Sequence, residues 1–308
     1  MGVQGVFVGF ATIGLLIGLG ILLAHLGIID EAGQKTLSTL AFFVASPALL
    51  LTVLESSDLG AVFSGNVVAL AGAVAVSVAV IVTVSVVRKQ DLATTTVAAQ
   101  CAAYANAGNL GLPIAAYVLG DAALVAPLLL LQLLLLQPLV LTLLDAAVSP
   151  TRLSVGAVLA RPFKNPITVG SALGLALAVS GVRLPQVLND PLELVAGMAV
   201  PSMLLAYGVS LRLGPLPGRG VSAGQLGLVV GLKMVVQPMS AYLIGRFIIG
   251  LDTPALLAVT VLSALPTAQN VFVIASRYNR GALLARDAIF VSTIASVPVV
   301  LLVTALIA

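Results

Sequence analysis

The sequence predicts an all-α integral membrane protein of ten transmembrane helices, arranged as two inverted five-helix repeats. Three observations carry this expectation. The 308 residues are 60% hydrophobic and only 8% charged, apolar segments of spanning length follow one another along the chain, and a pair of prolines recurs at nearly one offset. A water-soluble domain needs about a quarter of its residues charged to coat its surface. This chain is therefore built for lipid, with no length left for a soluble domain.

A spanning helix takes about 20 mainly apolar residues. Hydropathy separates ten such segments, at 4–27, 37–56, 64–87, 94–119, 122–146, 166–182, 192–211, 223–249, 254–277 and 285–307. The first lacks a basic leader and is too long for the apolar core of a signal peptide, so it is expected to be a retained first helix. The longest polar interruption, residues 147–165, carries Arg152, Arg161 and Lys164 between apolar residues. It reads either as a short helix on the membrane surface or as an ordinary basic loop. Cys101 is the only cysteine and His25 the only histidine. An intramolecular disulfide and a His/Cys zinc site are both excluded. No G-x-x-x-x-G-K-[ST] motor motif is present. A net charge of +3 is too small to imply nucleic acid, and neither a cofactor nor a metal is expected.

Lys and Arg placement checks the span count. With both termini outside, eleven of the 14 basic residues, from Lys35 to Arg286, fall on the cytoplasmic side. Arg183 and Arg246 fall outside, and Lys233 lies within a span. Cytoplasmic loops carry such an excess, which a missed helix would scramble. The expected location is the inner (plasma) membrane. Pro47 and Pro201, in the second and seventh spans, are 154 residues apart; Pro113 and Pro266, in the fourth and ninth, are 153 apart. Two five-helix halves follow, at 1–150 and 151–308. Five is odd, so the halves enter the membrane upside down relative to each other, as in many secondary transporters.

Chemistry concentrates in three spans. The fourth reads AAYANAGNLGLPIAAYVLG, with Asn106, Gly108, Asn109, Gly111 and Pro113 within eight residues. Proline lacks an N–H and glycine loosens the backbone, so the helix is expected to open here. Irregular backbone at membrane depth must be buried or face water. The second half-helix would offer free N–H groups and a partial positive charge to an anion. A plain kink with glycines for close packing is the alternative, although a kink does not need two asparagines. The ninth span, SALPTAQNVFVIASRYN, carries Pro266, Gln269 and Asn270 at its middle, with Ser263 and Thr267 alongside. These amides would either line a site with the fourth span or bond neighbouring helices.

Lys233, in GLKMVVQPM of the eighth span, is the one basic residue deep in a span. A mid-membrane charge costs at least ~2.5 kcal/mol. Three roles stay open for it: ligand of an anion, fixed cation near half-helix C-terminal ends, or proton carrier, against snorkelling to the surface. The acidic residues all fall in loops or near segment ends, which argues against cation transport. Glu55 and Asp145 lie nearest the membrane interior, and Gln132, Gln137 and Gln237 are intramembrane amides whose bonds to neighbouring helices would explain them.

NAGNLGLP in the fourth span, NPITVGSALGLALA in the sixth, AVPSMLLAYGVSL in the seventh, LKMVVQPM in the eighth and LPTAQNVFVIASRYN in the ninth together resemble the auxin efflux carrier family. The resemblance covers essentially the whole chain and lacks the long central cytoplasmic loop of some members. It implies a fold similar to sodium/proton antiporters and bile-acid symporters, with the fourth and ninth helices broken and crossing. It also implies a scaffold of about 1–60 and 151–215, and a transport domain of about 61–150 and 220–308 that moves as an elevator. Homodimers through the scaffold are implied too. By position Asn109 and Pro113 belong to the first broken helix and Pro266 to the second.

The function expected is a secondary transporter of a small organic anion, such as an auxin-like acid, malate or malonate, with no enzymatic activity. The substrate would meet Asn106, Asn109, Gly111, Pro113, Pro266, Gln269, Asn270 and Lys233. A carrier of an amino acid or other neutral solute on the same fold, and a ligand sensor that moves nothing, are the alternatives.

Overall fold

The structure, a computed structural model, describes residues 2–56, 65–111, 114–148 and 166–307. The basic residues Arg152, Arg161 and Lys164, and Pro113 of the fourth span, lie outside the described residues. Among the described residues the regular structure is helical, with one isolated bridge besides. Its helices are α1 (Gly2–His25), α2 (Glu31–Glu55), α3 (Gly65–Val87), α4 (Leu92–Ala103), α5 (Ala126–Ala147), α6 (Pro166–Ser180), α7 (Gln186–Leu213), α8 (Ala223–Ile249), α9 (Thr253–Ser263), α10 (Asn270–Arg277) and α11 (Ala282–Ile307). Six of these, α2, α3, α5, α7, α8 and α11, are long and apolar enough to cross a membrane. The fourth and ninth spans of the sequence are not continuous helices. They are represented by α4 followed by short turns at Ala107–Gly111 and Ala115–Leu119, and by α9 followed by α10.

Capping sets where several helices begin. Asp30 Oδ1 accepts from Gly33 N at 2.8 Å, Asp91 Oδ1 from Thr94 N at 2.9 Å, and Asp252 Oδ1 from Ala255 N at 3.0 Å, each occupying an N–H that a helix start leaves unpaired. Hydropathy places the second span at 37–56, but α2 starts at Glu31. Its first turns, EAGQKT, are polar and exposed, so they are helical without being apolar. α7 likewise starts at Gln186 rather than 192, just after Pro185, with exposed Val187 and Leu188 among the polar residues of its first turn.

Prolines reshape three helices without ending them. Widened π turns at Ala41–Ala45 in α2, Leu131–Leu136 in α5 and Leu232–Val236 in α8 each stop two residues before Pro47, Pro138 and Pro238. A proline removes one intrahelical bond and crowds the preceding turn. A π turn is one way a helix takes up that defect.

The helices pack as two groups. α1, α2, α6 and α7 lie mainly on one another, and α3, α4, α5, α8, α9, α10 and α11 form the other group. Glycines bring backbones together within the first. A Cβ on Gly170 of α6 would run into the Pro47 carbonyl of α2, and one on Gly174 would come within 2.6 Å of the Leu51 carbonyl. This is the small-x-x-x-small geometry of membrane helices. At the other end of α2, buried Glu55 accepts from Leu184 N at 2.9 Å, and the Arg183 guanidinium donates to the Glu55 carbonyl at 3.0 Å. Glu55 thus ties a helix end to a loop.

Candidate functional site

α4 and α9 both stop in the interior, and the peptides that follow them run antiparallel. Tyr104 turns extended at φ −88° and ψ 103°. Ala105 lies opposite Thr267, Asn106 N donates to the Pro266 carbonyl at 2.8 Å, and Ala268 N donates to the Tyr104 carbonyl at 3.1 Å. Two backbones that have left helical geometry thereby satisfy each other, which the interior of a membrane protein requires. Pro266, with no N–H to offer, serves as an acceptor.

On one side of this crossing three carboxamides meet. Asn106 Nδ2 donates to Gln269 Oε1 at 2.7 Å, and Asn109 Nδ2 reaches the same oxygen at 3.4 Å. Asn106 Oδ1 accepts from Asn109 N at 3.3 Å, capping the turn that restarts the helix. Asn106 and Gln269 are buried, Asn109 is partly exposed, and Gly108 beside it is exposed. Among the described residues Gln269 Nε2 has no hydrogen-bond partner. Gly111 contributes packing, since a Cβ there would come within 2.8 Å of Val125 Cγ2 and 3.2 Å of Leu265 Cδ1.

On the other side lie the carbonyl ends of α4 and α9. Lys233 is fully buried, which removes snorkelling as an account of it. Its ammonium donates to the Ser263 carbonyl at 2.8 Å and to Gln237 Oε1 at 2.6 Å. Gln237 Nε2 donates to the Ala103 carbonyl at 3.0 Å, and Thr267 Oγ1 to the Cys101 carbonyl at 2.7 Å. Gln132 Nε2 donates to the Ala105 carbonyl at 2.9 Å. Lys233 makes no hydrogen bond to the amide cluster among the described residues: its described partners are Ser263 and Gln237. Sequence reasoning left Gln132 and Gln237 as generic helix–helix contacts, whereas both bond the interrupted backbone. The available signal was their position as amides inside spans, Gln237 directly before Pro238.

Asn270 opens a different space. It lines a cavity of about 70 Å³ between the two helix groups, with Phe42 and Ser46 of α2, Ile167 of α6, Met203 of α7 and Gln137 of α5. Asn270 Oδ1 and Gln137 Oε1 are buried without a well-formed hydrogen bond, the Tyr104 hydroxyl being the group beside Asn270. Such atoms cost about 1–3 kcal/mol each unless something else bonds them.

A larger cavity, about 690 Å³, follows the same seam and is lined by Gln34, Lys35 and Phe43 of α2, Ser210 of α7, Phe272 and Arg277 of α10, and Arg286 of α11. The Arg277 guanidinium sits 4.9 Å from the Phe43 ring centre. Arg286, placed by the sequence on the cytoplasmic side at the start of the tenth span, is buried inside α11 and paired with Asp287 at 2.6 Å. Asp287 also accepts from Gly218 N at 2.7 Å. Edge-to-face contacts join the two groups at Tyr207 with Phe272 and at Phe42 with Tyr278, with ring centres 5.8 and 6.4 Å apart. Tyr278 also donates to Asp145 Oδ1 at 2.8 Å. Among the described residues no group of three His, Cys, Asp or Glu could hold a metal ion.

A protein of Rhizobium meliloti (strain 1021) named "Putative malonate transporter" is 27% identical over 294 residues, covering 92% of this chain and 90% of that protein. The model of the family described as membrane transport protein matches residues 6–304, nearly the full length. The chain therefore belongs to the membrane transport protein family, that of the auxin efflux carriers, and is a multi-pass membrane transporter.

Proposed function

We propose that the protein carries a small organic carboxylate across the membrane by elevator-type alternating access. In this reading ten spans form two inverted repeats, 1–150 and 151–308, with both termini outside. α1, α2, α6 and α7 are the scaffold through which two copies pair. The remaining helices move against them as one body, carrying the crossing with them. The observation that carries the reading is the antiparallel meeting of two interrupted helices, with Asn106, Asn109 and Gln269 joined across it. Helix restarts at membrane depth present N–H groups and positive partial charge, which suit a carboxylate. The name of the Rhizobium relative points to malonate, a dianion small enough for such a site.

A second reading, transport of an amino acid, is favoured by one feature. Asn270 Oδ1 and Gln137 Oε1 have no well-formed hydrogen bond among the described residues and line the seam cavity, where an ammonium group would supply donors. A half-turn of either carboxamide would present its NH2 to a carboxylate instead.

Counterflow in sealed vesicles separates these readings. With malonate, malate, indole-acetate and several amino acids offered in turn, carboxylate exchange that is lost in Asn109→Ala is the expected result. Exchange of amino acids alone would install the second reading. Binding without exchange of any solute would make the protein a sensor and overturn both.

A further inference from the structure

We infer that α3, α4 and α5 enclose a second binding site, away from the crossing, for a long-chain fatty acid in its neutral, un-ionised form, held at its carboxyl by Gln100. The site is a cavity of about 140 Å³ that shares no lining residue with either seam cavity. Val74 and Val78 of α3, Ala99 of α4 and Val140 of α5 form its walls. Val82 and Leu139 at its edge are exposed, so it opens toward the lipid. Tyr104, where α4 is interrupted, also lines it, which places an occupant directly behind the crossing.

Gln100 is the amide of this lining. It follows the Asp91 cap by nine residues, about 13 Å along a helix and so near the middle of a ~30 Å hydrocarbon core. It is 2% exposed, and among the described residues neither its Nε2 nor its Oε1 has a hydrogen-bond partner. An amide buried without partners is unfavourable, and lipid tails supply none. Water is a poor substitute, because an apolar cavity of this size stays dry and takes a small apolar molecule instead. Thr95 and Thr96, which also line it, have committed their hydroxyl protons to the Asp91 and Leu92 carbonyls. Both amide atoms are satisfied together by a group that donates to Oε1 while it accepts from Nε2. A neutral carboxyl does this through its O–H and its carbonyl in one planar pair of bonds, whereas an ester carbonyl can only accept. A carboxylate has no proton for Oε1 and would find no cation in the lining. On binding, the Gln100 amide turns into the cavity and the tail leaves past Val82 and Leu139.

A groove between α8, α9 and α11, about 420 Å³ and lined by Met234, Met239 and Val303, supplies an internal control. It is apolar too, but none of its lining residues carries a buried polar atom without a partner among the described residues, and its Thr260 hydroxyl bonds the Leu256 carbonyl at 2.7 Å. Such a groove accepts lipid tails of any head group. The test uses the full-length protein in phosphatidylcholine nanodiscs and a palmitic acid analogue with a diazirine close to its carboxyl, the photolabelled peptides being mapped by mass spectrometry. Label on α3, α4 and α5 is expected, competed by palmitic acid and by palmitamide, whose head also donates and accepts, but not by methyl palmitate. It should strengthen as pH falls through the titration of the acid itself. Gln100→Leu should weaken it about tenfold, the scale of the lost hydrogen bonds. Ala99→Leu, which fills the cavity and keeps Gln100, should weaken it as far and serves should the first variant fail to fold.

Label at wild-type strength in a folded Gln100→Leu or Ala99→Leu overturns the inference. Competition by methyl palmitate equal to that by the acid overturns it as well, since the cavity is then a groove for tails like the one beside α8. Label that strengthens as the acid ionises, label confined to the seam residues, or no label at all does the same, the last leaving Gln100 to a trapped water. None of these outcomes bears on the carrier reading, which counterflow decides by itself.

Discussion

Asp91 shows how much a single side chain can do at a membrane boundary. Its carboxylate accepts from the Thr94 backbone N–H at 2.9 Å and from the Thr94 hydroxyl at 2.7 Å, and these bonds, the backbone one foremost, hold its carboxyl below the usual carboxylate range. A depressed folded-state value means the cap contributes fully above the unfolded carboxyl's titration and is lost as pH falls through the lowered folded value. Asp91→Ala should cost about 0.5–2 kcal/mol, read as a lower Tm at neutral pH, with the gap from wild type closing in acid. The residues of the crossing divide by how readable they were. Asn106, Asn109, Gln269 and Lys233 stand out in the sequence because amides and a charge are costly in lipid. That three of them share one hydrogen-bond cluster while Lys233 bonds the opposite, carbonyl end was not legible, because residues 163 positions apart meet only through the fold.

Among the helices, the same residue type serves opposite ends. Gly170 and Gly174 of α6 sit against the α2 backbone, while Gly18 of α1 has open space around it. Gly170→Val should therefore be destabilising by about 1–3 kcal/mol through overpacking, whereas Gly18→Ala should leave the protein unchanged or stabilise it by roughly 0.5–1 kcal/mol; thermal unfolding of the two variants side by side checks both. Hydropathy located the six long apolar helices but could not see where α2 and α7 begin, because their first turns are polar or exposed and still helical. It also ran straight through the interruptions at 104–106 and 264–269. Those stretches, YAN and ALPTAQ, are mostly apolar or small, so only the prolines, glycines and amides hinted that the backbone there pairs across the molecule.

For the molecule as a whole, the seam between the two helix groups is where proposed motion and substrate access coincide. Phe42 and Tyr278 face each other across it. Bridging Phe42→Cys and Tyr278→Cys with a short bifunctional thiol reagent should abolish exchange, each single variant remaining active, if the groups move past one another. Exchange at the wild-type rate by the bridged protein would count against the elevator. Lys35 and Arg277 line the larger cavity from opposite sides and should gather anions by field rather than by contact. Lys35→Gln with Arg277→Gln should raise KM while leaving kcat close to wild type, and the difference should shrink as salt is added, since screening acts within about 10 Å at 0.1 M.

Residue order alone is enough to establish a helical membrane protein with its amides and prolines concentrated in the fourth and ninth spans, because lipid demands long apolar runs and penalises every polar residue placed among them. Folding alone could assign partners. Antiparallel pairing at the crossing, the side-chain occupation of carbonyl ends, the cavities along the seam and the burial of Arg286 on Asp287 all depend on helices distant in sequence coming together. Each of those partnerships is set by where a backbone group is left unsatisfied, and that is known only once the helices have packed.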